Sequence, residues 1–166
     1  MGDLHIRRAR PADLEVLVRG LGQREFFDDR LSRQDKDLGM LLIAWQGSHP
    51  LGVIYLWLED AEEVELRVRL PYTPILNHLE VHPDRRGTGI GTKLIEAAER
   101  RLRKLHYSQV ALAVEVTNRR AVRLYERLGY RKWAHSTVRC FPLNDGDEEL
   151  RVEVCHVMTK TLSREM

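Results

Sequence analysis

Residues 75–105 read as a strand, a glycine-rich turn and a long helix in immediate succession, and that order leaves few folds open. Ile75 to Val81 has the apolar character of a strand, and His82-Pro83-Asp84-Arg85-Arg86-Gly87-Thr88-Gly89-Ile90-Gly91 forms the turn. Ile90, Leu94, Ala97, Ala98, Leu102 and Leu105 then fall on one helical face, with Lys, Glu and Arg on the other. The first N–H groups of a helix have no partner within it and sit at the positive end of its dipole. Gly87, Gly89 and Gly91 remove side chains that would block an anion from those groups, and Arg85 and Arg86 add full charges. The segment from Arg86 to Thr92 is therefore expected to hold a pyrophosphate. It lacks the Gly-Lys-Ser/Thr of a P-loop and the glycine spacing of a dinucleotide fingerprint. Taken alone, such a glycine run is also compatible with a tight turn that binds nothing.

The other elements follow from periodicity and punctuation. Leu4 to Ile6 reads as a first strand, and Pro11 suits the first turn of a helix with Leu14, Leu17, Val18 and Leu21 on one face. A second helix is expected across Phe26 to Gln34, with weaker periodicity. Met40 to Trp45 and Leu51 to Trp57 read as a hairpin turning at 46–50, followed by an acidic loop from Glu59 to Glu65. Val110 to Val116 has the nearly unbroken apolar run of a central strand. Asn118 is placed to cap a helix whose buried face is Ala121, Leu124, Tyr125 and Leu128, with Gly129 ending it. Tyr130 to Cys140 and Leu150 to Thr161 look like two closing strands joined at Asn144-Asp145-Gly146. The order predicts a mixed α/β sheet with helices on both faces, in one domain over residues 4–163.

Charge and cysteine usage narrow the function. The 27 basic residues are nearly balanced by 25 acidic ones, for a net charge of +2, which argues against a general nucleic-acid binder. Two cysteines, Cys140 and Cys155, have neither metal-type spacing nor a disulfide framework, so buried reduced thiols and no metal site are expected. No apolar run is long enough to span a bilayer and no signal peptide is visible, which makes a cytoplasmic protein the default.

Arg86-Gly87-Thr88-Gly89-Ile90-Gly91 resembles the Arg/Gln-x-x-Gly-x-Gly/Ala motif of the GNAT superfamily of N-acetyltransferases. Asn118-Arg119-Arg120-Ala121-Val122-Arg123-Leu124-Tyr125, with Gly129-Tyr130, resembles that family's Asn-x-x-Ala-x-x-Leu-Tyr-x-x-x-Gly-Phe/Tyr segment, in the right order downstream. The resemblance is sharp from about residue 75 to 133. It implies a mostly antiparallel central sheet with a splayed strand pair forming an acetyl-CoA cleft. It implies cofactor contacts at Leu79 and Val81 for the pantetheine arm, and at Arg86, Gly87, Thr88, Gly89, Ile90, Gly91 and Thr92 for the diphosphate. It adds Asn118, which can also be only a helix cap, and Tyr125 as general acid toward the leaving thiolate. The implied reaction is acetyl transfer from acetyl-CoA to a primary amine of a small molecule or peptide by direct attack. The Val81 N–H is expected to hold the oxyanion, with no covalent enzyme intermediate. Dimers are common among such proteins, so a homodimer is left open.

The chain departs from the family in its general base. The positions where relatives carry a Glu or His hold Ile75 and Ala113, leaving His78 and Glu80, on the strand face opposite Leu79 and Val81, as local candidates. That departure keeps a second reading in play, a catalytically weak acyl-CoA-binding regulatory module. Asp28, Asp29, Glu59, Asp60, Glu62, Glu63 and Glu65 fall where similar proteins border the acceptor, and would either attract a cationic amine or be merely solvated. Trp45, Tyr55 and Trp57 are expected in the core.

Overall fold

The computed structural model describes residues 3–140 and 153–163. Strand β1 (Leu4–Arg8) leads through a 3-10 turn into helices α1 (Leu14–Leu21) and α2 (Arg24–Asp35), then strands β2 (Gly39–Gln46) and β3 (His49–Trp57). Helix α3 (Val64–Arg69) precedes β4 (Ile75–Val81), α4 (Ile90–Lys104), β5 (Gln109–Glu115) and α5 (Arg119–Arg127). Strands β6 (Arg131–Lys132), β7 (Val138–Cys140) and β8 (Glu153–Thr161) close the chain. Among the described residues these form one eight-stranded sheet in the order β1-β2-β3-β4-β5-β8-β6, with β7 also on β8. Every pairing is antiparallel except β4 with β5. No helix among the described residues is long and apolar enough to cross a membrane.

Strand alternation sorts the central hairpin onto two faces. Leu42, Ala44, Ile54 and Leu56 point to α4, whose Ile90, Leu94, Ile95, Ala98 and Leu102 complete one core. Leu41, Ile43, Trp45, Val53, Tyr55 and Trp57 point the other way, against Leu17 of α1 and Phe26, Phe27 and Leu31 of α2. A third cluster, with Leu66, Val138, Cys140, Cys155 and Val157, lies where α3 packs toward β7 and β8. Both cysteines are free and buried.

The structure corrects several sequence expectations. The acidic stretch ends in a helix, α3, rather than a loop; it buries Leu66 but leaves Val64 and Val68 exposed, so no apolar period announced it. Leu105 is 48% exposed and lies just past the end of α4, as its C-cap. The buried face of α4 also includes Ile95 and Glu99, which the sequence pattern does not single out. Glu99 accepts from the Tyr130 hydroxyl at 2.8 Å and from Lys160 Nζ at 2.9 Å, which ties α4 to β8. Residues 130–140 make two short strands instead of one, interrupted where Trp133 Nε1 donates to the Ser136 carbonyl at 3.0 Å. The hairpin turn is tighter than expected, since His49 and Pro50 already belong to β3. The predicted turn at Asn144-Asp145-Gly146 and the start of the last strand at Leu150 lie outside the described residues. The weak periodicity of α2 has a physical cause, because its buried stripe of Phe26, Phe27, Arg30, Leu31 and Gln34 includes two polar side chains. Gln34 is satisfied by the Ala9 carbonyl at 2.8 Å and the Leu41 N–H at 2.9 Å.

Candidate functional site

The site is organised by the way β4 parts from β5. The two strands pair only at Ile75↔Ala111 and Leu76↔Leu112. Beyond that, β5 stays paired with β8 as far as Glu115↔Cys155, and β4 stays paired with β3 as far as Gly52↔Val81. The parting coincides with a bulge. Tyr55 pairs with Asn77 but Val53 with Glu80, so two residues of β4 sit opposite one of β3, and His78 takes φ +52. A bulge bends its strand and raises the local twist, which here carries β4 away from β5. His82 N–H bonds to the Leu51 carbonyl at 2.7 Å, so alternation turns the Val81 N–H to the open side of β4.

At the end of β4 the turn delivers bare amides. Gly87 and Gly89 have φ +78 and +86, a region costly for residues with a Cβ. Gly89 caps α4 without any side-chain hydrogen bond, and nothing lies within 4 Å of where its Cβ would be. The first helical bond is Lys93 N–H to the Gly89 carbonyl at 3.1 Å, so the N–H groups of Ile90, Gly91 and Thr92 have no partner within the helix. Residues 83–89 are all exposed. A Cβ on Gly91 would stand 3.7 Å from Leu79 and 3.8 Å from Val81, so this first turn rests on the far end of β4. Leu79 and Val81 use their side chains in packing toward α4, which leaves their backbone for a ligand. These features fit a diphosphate followed by an extended amide-bearing arm: exposed donors first, then an unpaired strand edge.

The two faces of the opening differ chemically. On the α4–α5 side stands Tyr125, half-buried, with its ring edge-on to Tyr130 at 5.8 Å. Burial pushes its phenol up to about 12, so it stays protonated at neutral pH. On the α2 side stand His78 and Glu80, with His78 Nε2 2.8 Å from Glu80 Oε2. A carboxylate only accepts, so Nε2 is the donor in this contact and Nδ1 is the ring nitrogen left for another partner. Gln23 Nε2 donates to the same carboxylate at 3.2 Å, and Phe26 packs on the imidazole at 4.0 Å between centroids. Asn118, at the N-terminus of α5, accepts from the Ala121 N–H at 3.2 Å, so its oxygen is committed to the cap while its NH₂ is left for another partner.

A cleft of about 280 Å³ opens on the α2 side of the parting, lined among others by Arg30, Glu63, Ile75, Asn77, His78 and Ala113. Ile75 and Ala113 both line it, and neither can move a proton. Of the acidic residues picked out in the sequence, Glu62 and Glu63 reach the cleft. Asp29 is taken up by Arg30 and Arg33, and Glu59 by Arg33 at 2.7 Å. Burial pushes the Glu63 carboxyl up, and the neighbouring charges of Glu62 and Glu65 push it the same way. Sequence reasoning missed Arg30, Asn77 and Glu115 as lining residues. Arg30 is buried among the rings of Phe26, Tyr55 and Trp57 and donates to Asn77 Oδ1 at 3.2 Å. No sequence signal marks an arginine for that position; only the helical stripe it shares with Phe26 and Phe27 hints at it. Trp57, expected in the core, is buried and also lines the cleft.

The model of the acetyltransferase (GNAT) family matches residues 7–130. The chain belongs to the GNAT family. It is 47% identical over 53 residues to a mycothiol acetyltransferase of Thermobispora bispora, a match covering 32% of this chain and 18% of that protein. The chain thus spans less than a fifth of that relative's length. Its fold is that of the ribosomal-protein-S18-alanine N-acetyltransferase of Escherichia coli, with a TM-score of 0.71 at 18% identity over 99% of this chain and 97% of that one. A PaiA N-acetyltransferase of Thermoplasma acidophilum, solved in complex with coenzyme A, has a TM-score of 0.69 at 18% identity over 96% of this chain and 99% of that one. The mixed, mostly antiparallel sheet with its parted strands is therefore the GNAT fold, as the two sequence motifs implied.

Proposed function

We propose that this GNAT chain transfers an acetyl group from acetyl-CoA to a primary amine of a small molecule or peptide by direct attack. The observation that carries the reading is the continuity of two unsatisfied backbone surfaces. The bare amides of residues 86–92 run directly into the unpaired edge of Leu79–Val81, at the point where β4 leaves β5. A tight turn that bound nothing would have no need of the second surface.

In this reading the cofactor supplies an acetyl thioester, and the chain does the rest. The amides of Arg86 to Thr92 hold the diphosphate, and the backbone of Leu79 and Val81 aligns the pantetheine arm as an added strand. The cleft presents the amine from the α2 side. Nδ1 of His78 accepts its proton, while Glu80, held by Gln23, fixes the ring and stabilises the charged imidazole. The Val81 N–H stabilises negative charge on the carbonyl oxygen. Tyr125, from the opposite face, donates to the departing sulfur. Cys140 and Cys155 have no part in it.

The apolar pair Ile75 and Ala113 favours one competing reading, an acyl-CoA-binding module with little turnover. Thiol release from acetyl-CoA, followed over a library of primary amines, separates the two. Turnover with at least one amine class is expected. Tight binding of acetyl-CoA with no release above the hydrolytic background for any amine would leave the binding module standing instead.

A further inference from the structure

Helix α5 carries Arg119, Arg120, Arg123 and Arg127 within nine residues, against one carboxylate, Glu126. The placement works against the helix. Arg119 and Arg120 stand in the first turn, at the positive end of the dipole, with no acidic residue beside them. Arg119 and Arg123, and again Arg123 and Arg127, are like charges four residues apart. All four are exposed, and among the described residues none of them makes an ion pair or a side-chain hydrogen bond. Several local rules broken together on an exposed helix, with no compensation inside the fold, mark a surface kept for a ligand.

Position identifies that ligand. Arg120 Nη2 lies 4.0 Å from where a Cβ on Gly87 would stand, so the first turn of α5 reaches across to the amide-bearing turn before α4. Arg120 and Arg123 continue from there along an open groove that also holds Glu126 and Arg127. We propose that Arg120 and Arg123 form a second anion subsite beside the turn, which takes the 3′-phosphate on the ribose of acetyl-CoA. The inference rests on the acetyl-CoA reading above and extends it. A phosphate monoester is close to doubly charged at neutral pH and offers oxygens that a planar guanidinium can engage in pairs, which suits arginine over lysine. It hangs on the ribose next to the diphosphate, and Arg120 stands next to the diphosphate loop. A long polyanion such as nucleic acid fits less well. Glu126 interrupts the stripe, and the net charge of the chain is only +2.

The test is calorimetric titration of the full chain with CoA and with dephospho-CoA, which differ only in that phosphate. The unmodified protein should prefer CoA by roughly tenfold or more, the size of a lost charge-assisted pair of hydrogen bonds. In Arg120→Ala/Arg123→Ala the preference should vanish, through weaker CoA binding and with dephospho-CoA binding held within about twofold. Arg127→Ala should keep the preference. Both substituted arginines are exposed, so thermal melts should confirm an intact fold. Equal binding of the two ligands by the unmodified protein would overturn the subsite and leave the acetyl-CoA reading in place. So would a parallel loss of both ligands in the double variant. Failure of the unmodified protein to bind either ligand would remove the acetyl-CoA reading and the subsite with it.

Discussion

The two sides of β4 are built on different principles. Toward α4 the proposed cofactor contacts are main-chain, the amides of residues 86–92 and the unpaired edge of Leu79 to Val81, with the Tyr125 side chain proposed to act beside them. Toward α2 the groups are side chains gathered from distant segments. Gln23 caps α2 and Arg30 lies within it, Glu63 comes from before α3, His78 and Glu80 from the bulge, and Glu115 from β5. A site made of backbone depends on chain geometry, so it tolerates variation in everything but its glycines. A site made of side chains can be rewritten one residue at a time. The glycine-rich turn is thus kept in this chain, while Ile75 and Ala113 leave the cleft wall without a proton acceptor at their positions.

The harshest way to break this comparison is to obstruct the backbone side. Gly89→Trp forces a residue with a Cβ to φ +86 and lays an indole over the amides, while nothing within 4 Å resists it sterically. CoA affinity by calorimetry should fall by about 100-fold or more, with a thermal midpoint lowered by only a few degrees. Undiminished binding would mean that the diphosphate is held elsewhere. The side-chain groups should behave in the opposite way. Tyr125→Phe and His78→Gln should each lower kcat by roughly 100-fold while leaving CoA affinity within about twofold. Glu80→Gln, which acts through His78, should cost less, on the order of tenfold. Because burial holds the Tyr125 phenol up at about 12, it should impose no alkaline fall in rate between pH 7 and 10. An alkaline limb in that range that disappears in Tyr125→Phe would show a phenol titrating where the structure keeps it protonated.

The same division explains what the sequence made legible. Glycines and caps encode backbone conformation directly, so β4, the turn, α4, the Asn118 cap and Gly129 with its φ of +95 could all be read from one chain. Periodicity located the hairpin and put Trp45, Tyr55 and Trp57 inside. It failed at α3, whose single buried residue, Leu66, makes no pattern, and at Leu105, which fits the period but lies past the end of the helix. The bulge at His78 left no trace either, because a positive φ at a histidine has no sequence signature. His78 and Glu80 were nonetheless placed on the right face, since the extra residue falls before Leu79 and leaves the alternation from Leu79 to Val81 undisturbed. Arg30 was not foreseen, because the reason for burying a guanidinium there is the set of rings around it, which comes together only in the fold.

The finest probe of the side-chain half is Glu63. Its carboxyl is pushed above the ordinary value of 4.5 mainly by burial, with Glu62 and Glu65 adding repulsion and Arg67 opposing it. A carboxyl whose folded value exceeds its unfolded value gives up its proton more readily in the unfolded chain. Ionisation therefore works against the fold. The penalty is absent below the unfolded value, grows as pH rises toward the folded one, and is complete above it. Glu63→Gln should accordingly melt slightly higher than the unmodified protein at pH 7–8, and the two curves should converge near pH 4. If the acidic cleft wall serves to hold a cationic acceptor, the same substitution should raise KM for the amine several-fold and leave CoA affinity unchanged. A small gain in stability combined with a loss confined to the amine is the pattern of a residue retained for function at some cost to the fold. A stability gain with an unchanged amine KM would instead make Glu63 a bystander, and would move the recognition of the acceptor to Asn77 and Arg30.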